Sequence, residues 1–292
     1  VSAAAAIRGR AASVASDLNR RTITRLVQSG RIPRVAFQHY FIETEGLHSR
    51  IMLQNYWSTF WPNVKQALTA RIDVYAPDGK KIGHDEREIA HFGSLFLEAR
   101  DLLECVGSTV QEGSVTIDLE PPAEALRELG AFPLAEPWGL RLSTPFWMAY
   151  YDAEENYMYV HSIDRHAGEF YGVPAPVGRL LSRRFGVVGK PWRGGRLLDP
   201  ANLNELQIVA LNHGAHTRTA DVGIVDAETD EPVWAATETF GPHALARLHV
   251  PTDVIAAHGR QVRLAVTPLP TLNGKPYVLM RYGDGPLSLH HG

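Results

Sequence analysis

This 292-residue sequence contains one cysteine, Cys105. An intrachain disulfide is therefore excluded, and so is any zinc or iron–sulfur site built on several thiolates. No apolar run approaches the roughly 18 residues that cross a bilayer, so no transmembrane segment is expected. Catalytic signatures are missing as well. There is no G-x-S-x-G elbow, no H-E-x-x-H, no G-x-G-x-x-G and no complete P-loop. Gly186-Val-Val-Gly-Lys comes nearest to a phosphate loop, but Pro191 stands where a helix-opening Ser or Thr is required. A soluble protein that binds rather than reacts is the resulting expectation. Its compartment stays open, because a chain with one cysteine suits a reducing cytoplasm and equally a periplasm.

What the chain does contain is a worn internal repeat, the pattern to seek before any other. Thr69-Ala-Arg-Ile-Asp-Val-Tyr-Ala matches Thr219-Ala-Asp-Val-Gly-Ile-Val-Asp, and each is followed by a turn rich in Asp, Gly or Thr. Gly113-Ser-Val-Thr-Ile-Asp-Leu-Glu-Pro aligns with Gly259-Arg-Gln-Val-Arg-Leu-Ala-Val-Thr-Pro. An aromatic strand follows in each copy, Pro145-Phe-Trp-Met-Ala-Tyr-Tyr and Pro276-Tyr-Val-Leu-Met-Arg-Tyr. A histidine-bearing strand closes each, with His161 in the first and His290 and His291 in the second.

Apolar residues alternate at Ile72 and Val74, at Val115, Ile117 and Leu119, and at Val262, Leu264 and Val266. Period-two alternation predicts antiparallel strands with one buried and one wet face. Leu95 to Glu104 has helical spacing, yet its counterpart ends on Pro251, so strand then turn is expected in both copies. Only Pro121 to Gly130 carries helix start and stop signals inside a domain. The fold class is thus mainly β, with two tandem antiparallel sandwiches. Strand spacing and turn chemistry resemble the immunoglobulin-like sandwich over about residues 36–164 and 200–292, without that fold's hallmark cysteine pair.

The net charge of −3 is unevenly spread. Residues 1–34 carry seven arginines against Asp17, and residues 165–200 carry seven basic residues against Glu169 and Asp199, which leaves −14 elsewhere. The layout reads as a basic helical arm (1–34), a first sandwich (35–164), a basic Gly/Pro-rich strap (165–200) and a second sandwich (201–292). The Arg-rich start also resembles a transit peptide. Since the sequence begins at Val1, a segment before it is expected to have been removed or left out, and an arm that lies on a partner is preferred. Segregated charge of this kind steers association.

The expected function is a non-catalytic binding or assembly subunit that docks on a larger partner complex through the arm and strap. Trp57, Phe60 and Trp61 fall in an insertion found only in the first copy, and Arg183, Arg184, Lys190 and Arg193 fall in the strap; these are the candidate contacts. No cofactor is expected. The alternative is a metal-dependent enzyme or metal-binding protein that holds a divalent transition metal through His161, Asp164, His166, His213, His216 and His291. A further alternative is a carbohydrate-binding module, its aromatics stacking on sugar rings. Nucleic acid is not expected, for want of a readable motif. His39, Glu43, Glu45 and His48 form another polar cluster, expected to be the wet face of an N-terminal strand.

Overall fold

Alternation builds the strands as expected. In Leu68–Tyr75 the side chains of Leu68, Ala70, Ile72 and Val74 share one face and are fully buried, as the strand's two-residue period requires. The computed structural model describes residues 37–55, 57–60, 62–63, 65–120, 146–161, 191–212, 217–268 and 275–291. The first half contains β1 (Phe37–Ile42), β2 (His48–Gln54), β3 (Leu68–Tyr75), β4 (Lys81–Ile89), β5 (Ser94–Glu98), β6 (Glu112–Glu120), β7 (Trp147–Tyr151) and β8 (Tyr157–His161). The second contains β9 (Trp192–Leu198), β10 (Leu203–Leu211), β11 (Arg218–Asp226), β12 (Pro232–Phe240), β13 (Leu245–His249), β14 (Val262–Thr267), β15 (Tyr277–Tyr282) and β16 (Ser288–His291). Three short helices, α1 (Trp57–Phe60), α2 (Ala99–Cys105) and α3 (Thr252–His258), complete the described elements.

The strands form four antiparallel sheets in the orders β1-β6-β3-β4, β5-β2-β7-β8, β9-β14-β11-β12 and β13-β10-β15-β16. Adding eight to each strand number of the first pair generates the second pair. Small fixtures repeat as well. Asn55 donates its Nδ2 to the carbonyls of Ile89 and Ala90, and Asn212 does the same to Phe240 and Gly241. Each asparagine thus ties the end of its copy's second strand to the end of the fourth.

Two sequence expectations are corrected by these elements. Leu95 to Glu104 forms β5 and then α2, and the second copy likewise has α3 after β13. Pro251 occupies the N-cap of α3, outside the hydrogen-bonded turns, where the missing N–H costs nothing. A short helix thus stands in both copies where a turn was expected. Second, Trp192–Leu198, expected within the strap, forms a strand that pairs with β14. The arm (1–34), the helix expected over 121–130 and strap residues 165–190 lie outside the described residues.

A further correction concerns burial. One face of β10 and β15 presents Leu206, Ile208, Ala210, Val278 and Met280 to the core of the second sandwich. The opposite face presents Val209, Leu211, Tyr277 and Leu279, joined by Leu289 of β16, to the core of the first. Over Leu206–Leu211 and Tyr277–Met280 this sheet has no wet face. It lies against β1 and β8, both edge strands, so the second sandwich closes the open side of the first. Burying four aliphatic side chains there is worth about 8 kcal/mol before ordering costs.

Polar contacts fix the register of the junction. Tyr277 Oη lies 3.0 Å from His39 Nδ1. Arg247 Nη1 donates to Glu112 Oε2 at 3.0 Å, and Tyr40 Oη donates to the same oxygen at 2.7 Å. Burial first, and then Glu112, pushes the Tyr40 hydroxyl well above its ordinary pKa. The Leu245 N–H donates to the Pro77 carbonyl at 2.9 Å, while Tyr75 and His243 stack at 4.4 Å. Among the described residues no helix is long and apolar enough to cross a membrane.

Candidate ligand-binding face

Sheet β5-β2-β7-β8 does keep one face in the core and one in solvent. Ile51, Leu53, Met148, Tyr150 and Val160 point inward and are buried. The pairing register lays the outer side chains in three rows. Phe96, Met52 and Trp147 form the first; Glu98, Arg50, Ala149 and Tyr159 the second; His48, Tyr151 and Tyr157 the third. Phe96, Trp147 and Tyr159 stand 59%, 40% and 56% exposed, which is unusual for side chains this apolar.

Arg50 organises the middle of this face. Its Nε donates to Glu98 Oε1 at 2.5 Å and its Nη1 to Tyr157 Oη at 3.2 Å. The guanidinium also lies 5.1 Å from the Tyr151 ring centre and 5.6 Å from that of Tyr157, within cation–π range. Tyr151 Oη donates to the other Glu98 oxygen at 2.6 Å. Burial, and then the Glu98 carboxylate, pushes the Tyr151 hydroxyl up to about 12, so it stays a donor at every physiological pH. Tyr157 and Tyr159 run nearly parallel, 15° apart with centres at 6.0 Å. The rings are held in place before any ligand arrives. Glu98 is committed to Arg50 and Tyr151, which leaves it poorly suited to act as a catalytic acid or base.

At its β8 edge the face meets the second sandwich, where the Leu289 N–H points to Met158 Sδ at 2.8 Å. Beside Tyr159 opens a cleft of about 470 Å³, also lined by Gly195, Arg196, Lys275, His290 and His291. Burial, followed by the charges of Arg196 and His291, pushes His290 down to about 4. It is neutral at pH 7.

The sequence candidates are scattered. Trp57 and Phe60 bound α1, whose Ser58 N–H donates to Asn55 Oδ1, while Trp61 lies outside the described residues. Arg193 sits on β9, with Nη1 on Thr267 Oγ1 at 3.3 Å and Nε 3.4 Å from Asp230; it serves the sheet. Arg183, Arg184 and Lys190 lie outside the described residues, as do Asp164, His166, His213 and His216. His161 pairs with Trp147 as His291 pairs with Tyr277, so the register makes His291, not His290, the counterpart of His161; His291 also lines the cleft. Among the described residues no three His, Cys, Asp or Glu side chains come together in a metal-ligating group.

The polar cluster of β1 and β2 is not the wet acidic face expected of it. His39 is buried at the junction, and Glu43 accepts from His48 and from the Ser49 N–H. Sequence reasoning took the aromatics of β7 and β8 only as closing strands. Their signal was present: Trp147 and Tyr151, then Tyr157 and Tyr159, occupy alternate positions of two adjacent strands.

No family model matches this chain, and no curated protein matches it. Several solved structures are similar over most of its length. A protein assigned as a beta-galactosidase from Bacteroides fragilis is 11% identical, with 87% of this chain and 32% of that chain covered and a TM-score of 0.17. A beta-D-mannosidase from Dictyoglomus thermophilum is 12% identical, covering 91% and 32%, with a TM-score of 0.16. An exo-chitosanase from Amycolatopsis orientalis is 12% identical, covering 86% and 24%, with a TM-score of 0.13. This chain spans a third or less of the length of each. At such TM-scores the likeness carries no argument about fold or function.

Proposed function

We propose that this chain is a non-catalytic binding subunit, and that a carbohydrate chain lies on the aromatic outer face of sheet β5-β2-β7-β8. One observation supports this reading above the others: Phe96, Trp147 and Tyr159 stand in solvent on a single, internally braced sheet face. Sugar rings present C–H faces that stack on aromatic rings and hydroxyl edges that need polar partners. Arg50, Glu98 and the Tyr157 hydroxyl stand between and beside the rings to supply those partners. A folded protein partner would instead favour a central anchor in a desolvated pocket, whereas this face is a flat sheet surface.

Within this proposal, the basic segments 1–34 and 165–190 attach the binding unit to a larger partner. Each half is read as an immunoglobulin-like sandwich by its central pairs. β2–β5 and β3–β6 correspond to neighbouring strands of that fold. The first, fourth and seventh strands lie in the opposite sheet from that fold's, β1 pairing β6, β4 pairing β3 and β7 pairing β2.

Electrophoresis of the full chain through gels cast with soluble polysaccharides tests the sugar reading. Migration should be retarded by at least one polysaccharide, and Trp147→Ala or Tyr159→Ala should each weaken retardation about tenfold, the equivalent of roughly 1.4 kcal/mol for one stacked ring. Free migration in every gel, or unchanged retardation of both variants, would end the proposal. Deleting residues 1–34 should release the chain from whatever co-purifies with it. Retention of that partner would remove the arm from the account.

A further inference from the structure

The chain carries a second version of the aromatic face, and that version is covered by protein. Counted back from the matched asparagines Asn55 and Asn212, Met52 stands where Val209 does. The registers then set Trp147 at the position of Tyr277, and Tyr159 at that of Leu289. Val209, Tyr277 and Leu289 are fully buried in the core shared with the first sandwich.

That docking does not carry over from one chain to the next. Within the chain, the β3–β4 turn seats Gly79, at φ 85°, against the backbone of Pro242 and Ala244. The receiving turn is repeated in the first copy, where Phe92 takes the left-handed position of His243 (φ 55° and 59°). The inserting turn is not repeated. In the β11–β12 turn Asp230, at φ 62°, stands where Gly79 does, with one more residue between the bonded ends Asp226 and Glu231 than between Ala76 and Lys80. A Cβ at Gly79 would come within 2.0 Å of the Pro242 oxygen, so Asp230 bars the same insertion. The exposed face is therefore not a socket for a second copy docked in this way.

Its rings point to another occupant. Phe96, Trp147 and Tyr159 stand on β5, β7 and β8, so the exposed rings form a line across the strands. Along the strands, the neighbouring rings of Tyr151 and Tyr157 are engaged with Glu98 and Arg50 instead. Phe96 and Trp147 are two strand spacings apart, about 10 Å. Tyr159 lies on the diagonal from Trp147, about 8 Å further on. An extended pyranose chain advances about one strand spacing per residue, so this line holds about four residues. A coiled glycan would leave the sheet surface before reaching the third ring. Beyond Phe96 the sheet ends, because β5 is its edge strand.

We propose that the ligand is an extended, ribbon-like glycan, as β-1,4-linked pyranoses form, and that it crosses the strands from Phe96 over Trp147 to Tyr159. The proposal rests on the aromatic face being the sugar site. It adds the shape of the ligand, its direction on the sheet and a subsite at Phe96.

Isothermal titration of the full chain with oligosaccharides of two to six residues tests it. The β-1,4-linked series of glucose, mannose, xylose and N-acetylglucosamine are compared with the coiled α-1,4-linked glucose series. At least one β-1,4 series should bind, gaining about tenfold in affinity between two and four residues and little beyond five. The α-1,4 series should stay about tenfold weaker or more. Phe96→Ala should weaken the hexasaccharide about tenfold and the disaccharide less than about twofold, since the shorter ligand spans only Trp147 and Tyr159. Circular dichroism melting of each variant checks that the fold is kept.

Equal affinity for disaccharide and hexasaccharide, or equal binding of the α-1,4 series, would overturn the ribbon. Equal effects of Phe96→Ala on both lengths would overturn the path across the strands. In either case Trp147→Ala and Tyr159→Ala still weaken binding if the face is the sugar site. Failure of every β-1,4 series to bind overturns the inference outright, and the polysaccharide gels then decide separately whether the face binds sugar.

Discussion

Gly79→Ala should disrupt the way the first sandwich docks on the second. Gly79 lies in the β3–β4 turn at φ 85°, and a Cβ there would come within 2.0 Å of the Pro242 oxygen and 2.7 Å of the Ala244 nitrogen. Both are backbone atoms and cannot swing aside as a flexible side chain would. The left-handed conformation alone costs an alanine about 1 kcal/mol. Withdrawing the turn strains the Leu245 N–H to Pro77 carbonyl bond and the Tyr75–His243 stack. Overpacking of this kind adds about 1–3 kcal/mol and a lost hydrogen bond about 1 kcal/mol, for a total near 3–5 kcal/mol.

Gly107→Ala is the matched control. Its φ is 67° and nothing lies within 4 Å of its added Cβ, so it should lose only about 1 kcal/mol. Urea unfolding followed by both tryptophan fluorescence and circular dichroism gives the two losses. Equal losses for the two variants would refute the docked turn.

Three further outcomes follow from the same geometry. Asn55→Leu should cost about 2–3 kcal/mol in urea unfolding, because the carbonyls of Ile89 and Ala90 lose their buried donor; Asn212→Leu should match it, and a loss below about 0.5 kcal/mol at either site would contradict the shared fixture. His290 carries a pH signature: its pKa is held near 4 in the fold by burial, by Arg196 from β9 and by His291, with Lys275 and Tyr159 on the other walls. The unfolded chain therefore takes up a proton first, so stability falls as pH drops from about 6.5 to about 4, by roughly 1–2 kcal/mol once the open cleft's screening is allowed for. His290→Gln should flatten that part of the stability–pH curve, and an unchanged slope would refute the assignment.

Much of the architecture was legible because the chain says it twice. The two copies share strand order and a closing histidine, both visible as paired signals, and the structure adds the common fixture at Asn55 and Asn212. What resisted reading has physical causes. The sequence alignment placed Leu119 opposite Val266, whereas the sheets pair Ile72 with Ile117 and Val222 with Val266, a slip of two residues. A two-residue slip keeps every side chain on the same face, so alternation alone does not detect it. The double burial of β10 and β15 did leave a trace, the unbroken runs Ile208-Val-Ala-Leu and Tyr277-Val-Leu-Met. The direction from which the second cover came was a matter of tertiary packing. The candidate face was missed for a related reason: Phe96 lies some fifty residues before Trp147 and Tyr159, and only the pairing register brings β5 onto the same sheet as β7 and β8.

The most direct test of the central claim is a binding isotherm of the full chain against whichever polysaccharide retards it, before and after Trp147→Ala is combined with Tyr159→Ala. Circular dichroism checks that the double variant keeps its fold, and its affinity should fall about a hundredfold, near 2.7 kcal/mol. An unchanged isotherm from a correctly folded double variant would contradict the account, because no sugar could then be resting on that face.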